Sequence, residues 1–209
     1  MTELKKQLQK ALTELRKGKE RKFDQSVDLI VNLQKFDVKK TPLNLFLSVP
    51  NKIKDKEICG FLESKNANVD TITPDQFKKY SKKQELKKLV RKYDFFIAQG
   101  SVMPKVATTF GRVLGPSGKM PSPQMGIILN ADDKTISELK VKINNTLKLR
   151  AKEASLKLAI GKQSMDDDKI IENVESVYNE IIKALPRDKE NIKNIGLKFT
   201  MTKPVRIKL

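Results

Sequence analysis

Leucine recurs at helical spacing near the start of the chain. Leu4, Leu8, Leu12 and Leu15 fall on one side of a helix, and lysines occupy positions between them. Gly18 follows, a residue typical of helix ends. The pattern predicts an amphipathic helix of about four turns that packs its leucine stripe against a core.

From Phe23 to Leu33, apolar and polar residues mainly alternate. This period is typical of a strand with one side in a core. One face is nearly all apolar, and the other carries mostly polar side chains: Asp24, Ser26, Asp28 and Asn32. The second face is available to a partner.

The rest of the chain alternates between short apolar runs and helical patterns, which indicates an α/β layer in its middle part. Further strands are predicted at residues 43–49, 95–98, 194–201 and 205–209, and further helices at 73–92 with an interruption near Ser81, at 102–112, at 133–144 and at 164–185.

Two pairs of neighbouring segments differ in the strand pairing that their separation allows. Segments 146–151 and 155–160 frame a short turn, Lys152–Ala154, and are expected to form a hairpin. Runs 58–62 and 69–72 are separated by only six residues, too few for a parallel crossover. One of these runs is therefore expected to be helical, or their pairing to be irregular.

Residues 111–126 contain four glycines and three prolines and are predicted to form a rigid, ordered loop. The spacing of its glycines does not fit a phosphate-binding loop, and the chain has no Gly-x-Gly-x-x-Gly. The loop can still meet an RNA backbone through glycine amides and cations, or it can be a rigid connector at a domain junction. The residues concerned are Arg112, Gly115, Gly118 and Lys119.

Composition narrows the function. The chain has 209 residues, a net charge of +18, no histidine, no tryptophan and one cysteine, Cys59. These counts exclude zinc sites, histidine-based triads and internal disulfides. We expect no metal, no cofactor and no enzymatic activity. The start of the chain lacks a signal peptide and no stretch is long enough to span a membrane, so we expect a soluble, cytoplasmic protein.

The charge is spread along the chain, with +10 in residues 1–50 and 146–209 together and +8 in residues 51–145. This distribution favours folded faces that bind a folded polyanion. Aromatic residues, 6% of the chain, are too few for single-strand stacking platforms. We therefore expect structured RNA, recognised through its backbone, 2′-OH groups and shape.

Two alternatives remain open at this point. A metal-dependent enzyme acting on nucleic acid would need converging acidic residues, and the chain offers only the local run Asp166–Asp168, which also suits a helix N-terminus. A general DNA-compacting protein is the other alternative, and it would bind duplex DNA as well as RNA.

Three segments together resemble the L1 family of large-subunit ribosomal proteins, in its archaeal form. They are Lys22–Leu29 with Asn32-Leu33, the loop Gly111–Pro121, and Thr200–Pro204. The resemblance implies an α+β outer domain, residues 1–50 and 146–209, interrupted by an inserted Rossmann-like, three-layer α/β domain, residues 51–145.

The resemblance also implies a function and a site. The outer domain would bind the stalk region of large-subunit rRNA beside the tRNA exit site, assist release of deacylated tRNA, and repress translation of its own mRNA. Other ribosomal components would be further partners. The implied rRNA-binding residues are Lys22, Phe23, Ser26, Asp28, Gly161, Lys162, Thr200 and Met201, and Arg112, Gly115, Gly118 and Lys119 would contact tRNA or join the domains.

Phe23 fits either a core position or an RNA contact. The family pattern places glycine after Thr-Met, whereas this chain has Thr202, and glycine would allow a positive φ or a close RNA approach there. The threonine is expected to shift the turn, which leaves side-chain contacts from Thr200 and Met201 available.

Overall fold

The computed structural model describes residues 3–19, 21–38, 41, 43–80, 82–129, 132–151 and 153–207. The chain divides into two compact units. Unit 1 comprises Met1–Ile53 and Asn145–Leu209, and unit 2 comprises Lys54–Asn144.

The helices and strands alternate along much of the chain. In order they are α1 (Glu3–Arg16), β1 (Ser26–Leu33), β2 (Asn44–Ser48), β3 (Ile58–Phe61), β4 (Asp70–Ile72), a 3-10 helix (Pro74–Tyr80), α2 (Lys83–Lys92), β5 (Phe95–Gln99), α3 (Met103–Ser117), β6 (Ile127–Ile128), α4 (Asp133–Asn144), β7 (Thr146–Arg150), β8 (Ser155–Lys162), α5 (Asp167–Ala184), a 3-10 helix (Asp188–Asn191), β9 (Ile192–Phe199) and β10 (Val205–Ile207).

Unit 1 is built on an antiparallel sheet with strand order β10-β9-β1-β8. The alternation predicted for β1 is confirmed, since its residues are alternately buried and half-buried. The leucine stripe of α1 is also confirmed: Leu8, Leu12 and Leu15 are buried in one core with β1 and α5. One face of this sheet therefore packs on two helices.

Unit 2 holds a parallel sheet with strand order β4-β3-β5-β6. Its core is aromatic, because the rings of Phe61, Phe77, Phe96 and Phe110 contact one another. Helix α4 begins and ends at the predicted residues. The predicted helix at 73–92 is a 3-10 helix followed by α2, and Ser81 lies outside the described residues. The three-layer arrangement stays a prediction.

The predicted hairpin between 146–151 and 155–160 is wrong. Strand β7 pairs with β2 in a separate two-stranded sheet, whereas β8 pairs with β1. The backbone continues these two pairings at the corner, where Ala151 N–H donates to Leu43 O and Leu33 N–H donates to Ala154 O. A short turn is compatible with a hairpin, but it does not choose the partner of either strand. Lys152, within that turn, lies outside the described residues.

Of the two possibilities for 58–62 and 69–72, the helical one is wrong. Strands β3 and β4 pair in parallel across a connection without a helix, which is the irregular pairing that their short separation left open. That connection is closed locally: Asn66 Oδ1 accepts from Asn68 N–H at 2.8 Å, and Asn66 N–H donates to Thr71 Oγ1 at 3.2 Å.

The predicted loop 111–126 begins seven residues later than expected, since α3 continues to Ser117 and contains Pro116. Gly111 and Gly115 lie within α3 and do not break it. The helix ends at Gly118, whose φ of 71° is the left-handed conformation that glycine adopts readily.

The side chain of Asn173 in α5 satisfies three backbone groups. It is fully buried, it donates to Asn51 O at 3.0 Å and Ile160 O at 2.9 Å, and it accepts from Asn51 N–H at 2.9 Å. Asn173→Leu leaves these backbone groups without partners, so we expect the free energy of unfolding to fall by about 2–4 kcal/mol. Chemical denaturation measures this.

Lys183→Leu is the control for Asn173→Leu, because Lys183 is an exposed residue of the same helix. We expect it to change the free energy of unfolding by less than about 0.5 kcal/mol. Equal losses in the two variants would contradict a specific role for the Asn173 hydrogen bonds.

Candidate nucleic-acid interface

Three separate chain segments meet at one end of the unit 1 sheet. Strand β1 begins there at Ser26, and β8 and β9 end there, because both run antiparallel to β1. Ser26 lies opposite Lys162, and Val27 lies opposite Phe199. Six of the eight residues assigned to rRNA binding therefore converge on this end of the sheet: Ser26, Asp28, Gly161, Lys162, Thr200 and Met201.

The turn after β9 is held by hydroxyl groups. Ser26 N–H donates to Thr200 Oγ1 at 3.0 Å, which ties the turn to the start of β1. Thr202 closes the turn itself: its N–H donates to Phe199 O at 3.1 Å, and its Oγ1 accepts from Phe199 N–H at 2.9 Å. Thr202 needs no positive φ to do this. The threonine in place of the family glycine thus stabilises a defined turn.

The buried side chain of Gln25 links the end of β8 to the turn after β9. Its side chain is buried, with an exposed fraction of 2%. Its Nε2 donates to Gln163 Oε1 at 3.1 Å, and its Oε1 accepts from Met201 N–H at 3.1 Å. Its backbone carbonyl accepts from Gln163 N–H at 2.8 Å. One buried amide therefore sets the relative positions of the β8 end and the Thr200–Met201 turn.

A second set of contacts fixes the segment between β8 and α5. Asp24 accepts from Ser164 N–H at 3.0 Å and from Ser164 Oγ at 2.9 Å. Arg16, at the end of α1, donates to Gln163 O, Met165 O and Asp167 Oδ1. Sequence reasoning missed these positioning residues and Gln25, although Gln25 is the one polar residue on the apolar face of the alternation.

Two large apolar side chains are exposed at this end. Phe23 is 52% exposed and Met201 is 58% exposed, so the core alternative for Phe23 is excluded. Lys22 is exposed as well. Gly161 is buried, and a Cβ there would lie 3.2 Å from Ile170 Cγ1. Its contribution is therefore to the packing of β8 on α5, and its neighbours present the accessible groups.

Asp28 lies one row further into the sheet, with its backbone opposite Lys198. Partial burial raises the pKa of its carboxyl above the usual value, and the charge of Lys198 acts in the opposite direction. At neutral pH such a group can accept hydrogen bonds from 2′-OH groups. It suits contact with sugars better than contact with phosphates.

The segments that meet at this end of the sheet are rich in cations. The segments that converge there carry Lys17, Lys19, Arg21, Lys22, Lys162, Lys198 and Lys203. Lys162 Nζ lies 3.7 Å from Asp24 Oδ2. The uncharged groups Thr200 Oγ1, which is held by Ser26 N–H, and Met201, whose backbone N–H is held by Gln25, therefore lie in segments rich in positive charge, an arrangement suited to a polyanion.

The four residues assigned to the predicted loop 111–126 all lie in unit 2. Arg112 and Gly115 are exposed on α3, and Gly118 ends that helix. Lys119 has a structural role, because its Nζ donates to Val90 O at 2.8 Å and to Tyr93 O at 2.7 Å, at the end of α2. Of the two cations, Arg112 is the exposed one.

The acidic run Asp166–Asp168 shows no sign of a metal site. Asp167 pairs with Arg16 at 2.6 Å and Asp166 with Lys169 at 2.8 Å. Across the described ranges, no three His, Cys, Asp or Glu side chains are grouped so as to hold a metal ion.

Among the residues that the structure describes, no helix has the length and apolar character needed to cross a membrane.

Comparison with known proteins identifies the family. Residues 15–203 match the Ribosomal protein L1p/L10e family. The chain is 35% identical over 202 residues to the large ribosomal subunit protein uL1 of Nanoarchaeum equitans, covering 92% of this chain and 95% of that protein. It is 35% identical over 216 residues to the protein of the same name from Methanothermobacter thermautotrophicus, covering 95% and 99%.

These matches show that the chain belongs to the ribosomal protein L1p/L10e family. The resemblance drawn from the three sequence segments, including its archaeal character, is confirmed. The expectation that the chain is not an enzyme is confirmed too, because this is a family of ribosomal structural proteins.

The role of Gln25 as the link between segments generates a prediction. Gln25→Leu removes the acceptor of the Met201 N–H while keeping a side chain of similar size. We expect amide hydrogen exchange at Met201 to accelerate about five- to twelvefold, since loss of a hydrogen bond worth about 1–1.5 kcal/mol changes the opening equilibrium by that factor. NMR or mass spectrometry measures the rate.

Gln163→Ala is the matched control for Gln25→Leu. It removes the partner of Gln25 Nε2 and leaves Gln25 Oε1 in place for Met201. Exchange at Met201 should stay within about threefold of the native rate, a difference below 1 kcal/mol. Equal acceleration in both variants would show that the amide network does not act through Gln25 Oε1.

Proposed function

We propose that this protein is a structural constituent of the large ribosomal subunit, in the cytoplasm, and that unit 1 binds the stalk region of large-subunit rRNA beside the tRNA exit site. The observation that carries the proposal is the convergence of Ser26, Lys162, Thr200 and Met201 at one cationic end of a sheet. Ser26, Thr200 and Met201 come from the segments that carry the family resemblance, and Lys162 lies opposite Ser26.

The site divides its work between charge and fixed neutral groups. Lysines and arginines around the sheet end contact phosphates and supply affinity, which falls as salt rises because each neutralised phosphate releases counterions. Thr200 Oγ1 and the Met201 backbone lie at defined positions, and the Thr200 hydroxyl and the exposed Met201 side chain contact sugars and base edges. They therefore select the RNA, since backbone contacts alone carry no sequence information.

Two further roles follow from the same family. We propose that the protein assists release of deacylated tRNA, and that unit 2 contributes through exposed Arg112 on α3. We also propose that unit 1 binds a similar fold in its own mRNA and represses its translation. Both roles reuse cationic surface of the kind already described, and other ribosomal components would be neighbours in the assembly.

A competition experiment tests the proposal as a whole. The full chain is incubated with labelled stalk rRNA and challenged with unlabelled stalk rRNA or duplex DNA at equal ionic strength. We expect at least a thousandfold preference for the stalk rRNA, within the usual range of specific over non-specific binding. Equal competition by DNA would favour the DNA-compacting alternative and overturn the proposal.

Thr200 and Met201 give a residue-level prediction. We expect Met201→Ala to weaken stalk rRNA binding by about tenfold, or about 1.4 kcal/mol. Stability should change by less than about 0.5 kcal/mol, because the side chain is exposed. Thr200→Ala should weaken binding to a similar extent, whereas Thr200→Ser, which keeps the hydroxyl, should retain most of the affinity. Filter binding or calorimetry measures these affinities.

Leu129→Ala is the control for Met201→Ala. Leu129 is 86% exposed and lies in unit 2, so its truncation removes comparable exposed apolar surface away from the sheet end. Its affinity for stalk rRNA should match that of the unmodified chain. Unchanged affinity in Met201→Ala and Thr200→Ala would refute the site assignment.

A further inference from the structure

The net charge of unit 2 is concentrated in one short segment. Residues 78–92 contain eight lysines and arginines and one acidic residue, Glu85, which gives a net charge of +7. The remaining residues of unit 2 carry nine basic and nine acidic side chains and are neutral overall. This cationic segment spans the end of the first 3-10 helix and the whole of α2. Its charge is therefore a local feature of unit 2 and not a general property of its surface.

Helix α2 places its apolar and its cationic residues on opposite sides. Leu86 and Leu89 are buried in the aromatic core of unit 2. Lys87 and Lys88 lie four and three residues before Arg91, a spacing that puts all three on one side of a helix. All three side chains are exposed. They define the cationic face of α2, which lies on the side of the helix turned away from the core.

The fold of unit 2 does not need these three charges. Across the described residues, the side chains of Lys87 and Arg91 form no hydrogen bond or ion pair. Lys88 lies 3.4 Å from Glu85, in an exposed pair of the kind that contributes little to stability. Lys119 already caps the carbonyl end of α2. Because like charges one turn apart destabilise a helix, the stability of α2 does not explain the cluster.

The chemistry of the cationic face selects the class of partner. In the part of α2 that the structure describes, no apolar or aromatic residue is exposed. A helix that binds a membrane surface inserts an apolar side, and the apolar side of α2 is buried in the core. Protein interfaces have an apolar centre, and single-stranded RNA needs aromatic rings for stacking. The face instead fits the phosphates of double-helical RNA, which cations bind without regard to sequence.

This face and the candidate interface belong to different parts of the chain. The cationic face lies in unit 2, whereas the candidate interface lies in unit 1. The two surfaces share no residue, so each is available when the other is occupied by a separate RNA. They also differ in kind, because the unit 1 site combines cations with fixed neutral groups and the α2 face has cations without such groups. One surface suits a particular RNA and the other suits any duplex.

We propose that the cationic face of α2 binds the backbone of double-helical RNA independently of sequence, so that one chain joins two RNAs. Unit 1 holds the stalk rRNA, and Lys87, Lys88 and Arg91 contact the phosphates of a second duplex. The proposal rests on the rRNA-binding function above, which supplies the first RNA. It adds a bridging activity that this function does not require.

A bridging assay with the full chain tests the proposal. Immobilised stalk rRNA is saturated with protein and incubated at low salt with a labelled RNA duplex of unrelated sequence. We expect the protein to capture the duplex, and Lys87→Gln/Lys88→Gln/Arg91→Gln to weaken capture at least tenfold. The slope of log affinity against log salt should fall by about 2–3, near 0.9 for each lost phosphate contact. Affinity for the stalk rRNA should stay within about threefold of the unmodified chain. No capture above the level of rRNA alone would overturn the inference.

The matched control is Lys65→Gln/Lys105→Gln/Lys134→Gln, which removes the same charge from exposed positions of unit 2 outside the cationic segment. We expect duplex capture within about threefold of the unmodified chain and a salt slope that falls by less than 1. If both triple variants lose the same capture and slope, the charge of unit 2 acts as a whole, α2 makes no direct contact, and the inference is wrong.

A second pair of variants changes the charge of the face without removing a cation. Gln84 is exposed and lies three residues before Lys87 and four before Lys88, so it shares their side of the helix. Gln84→Glu adds a negative charge there, and Gln84→Lys adds a positive one. We expect capture to be at least fivefold weaker with glutamate than with lysine, with unchanged thermal melting for both. Equal capture by the two variants would contradict direct contact at this face.

A competitor separates RNA from an acidic protein segment as the partner. Poly-glutamate is added at the same total charge as unlabelled duplex, and we expect it to displace the labelled duplex at least tenfold less well, because the duplex has the denser charge. Equal displacement would identify an acidic protein segment as the better partner and overturn the inference.

Failure of the proposed function has a different signature. If the unmodified chain does not bind stalk rRNA, the proposed function is refuted. The duplex affinities of the free chain and of its two triple variants then decide the inference about α2. Loss of duplex capture with intact binding of stalk rRNA overturns the inference alone.

Discussion

Strand β1 is held on both sides by strands from the far end of the chain. It pairs with β8 along one edge and with β9 along the other, and all of unit 2 separates β1 from both in sequence. No local contact can substitute for these pairings, and their loop-closure entropy must be met before they stabilise the sheet. The candidate interface exists only when they have formed, because its residues lie at the ends of these strands.

The candidate interface requires one buried polar residue in the core, Gln25. An alternating strand would place an apolar residue there, but its amide is buried among hydrogen-bond partners from two other segments. A buried amide is tolerated only when its polar atoms are paired, and it then holds those partners in one geometry. The buried Gln25 amide therefore positions the neutral groups at the surface. The lysines of these segments need only lie close enough to attract phosphates. Specificity and affinity depend on different residues for this reason.

Sequence patterns predicted what is local and missed what is not. The leucine period of α1, the alternation of β1 and the bounds of α4 all express contacts between near neighbours. The hairpin proposed for β7 and β8 failed because strand partners are chosen by the whole sheet. The glycines of α3 misled for another reason, since a helix tolerates them on its exposed side. Gln25 carried a signal, polarity on an apolar face, whose meaning required its partners.

Thr202 shows that one turn can be reached by two physical routes. Glycine at this place would allow the turn by conformational freedom, with an entropic cost in the unfolded chain. Threonine restricts the backbone and closes the turn with its own hydroxyl, which accepts from Phe199 N–H. The result leaves Met201 exposed and Thr200 bonded to Ser26. A departure from a family motif is therefore not in itself evidence of a lost site. The decisive question is whether the new side chain satisfies the backbone groups that the turn leaves open, and here it does.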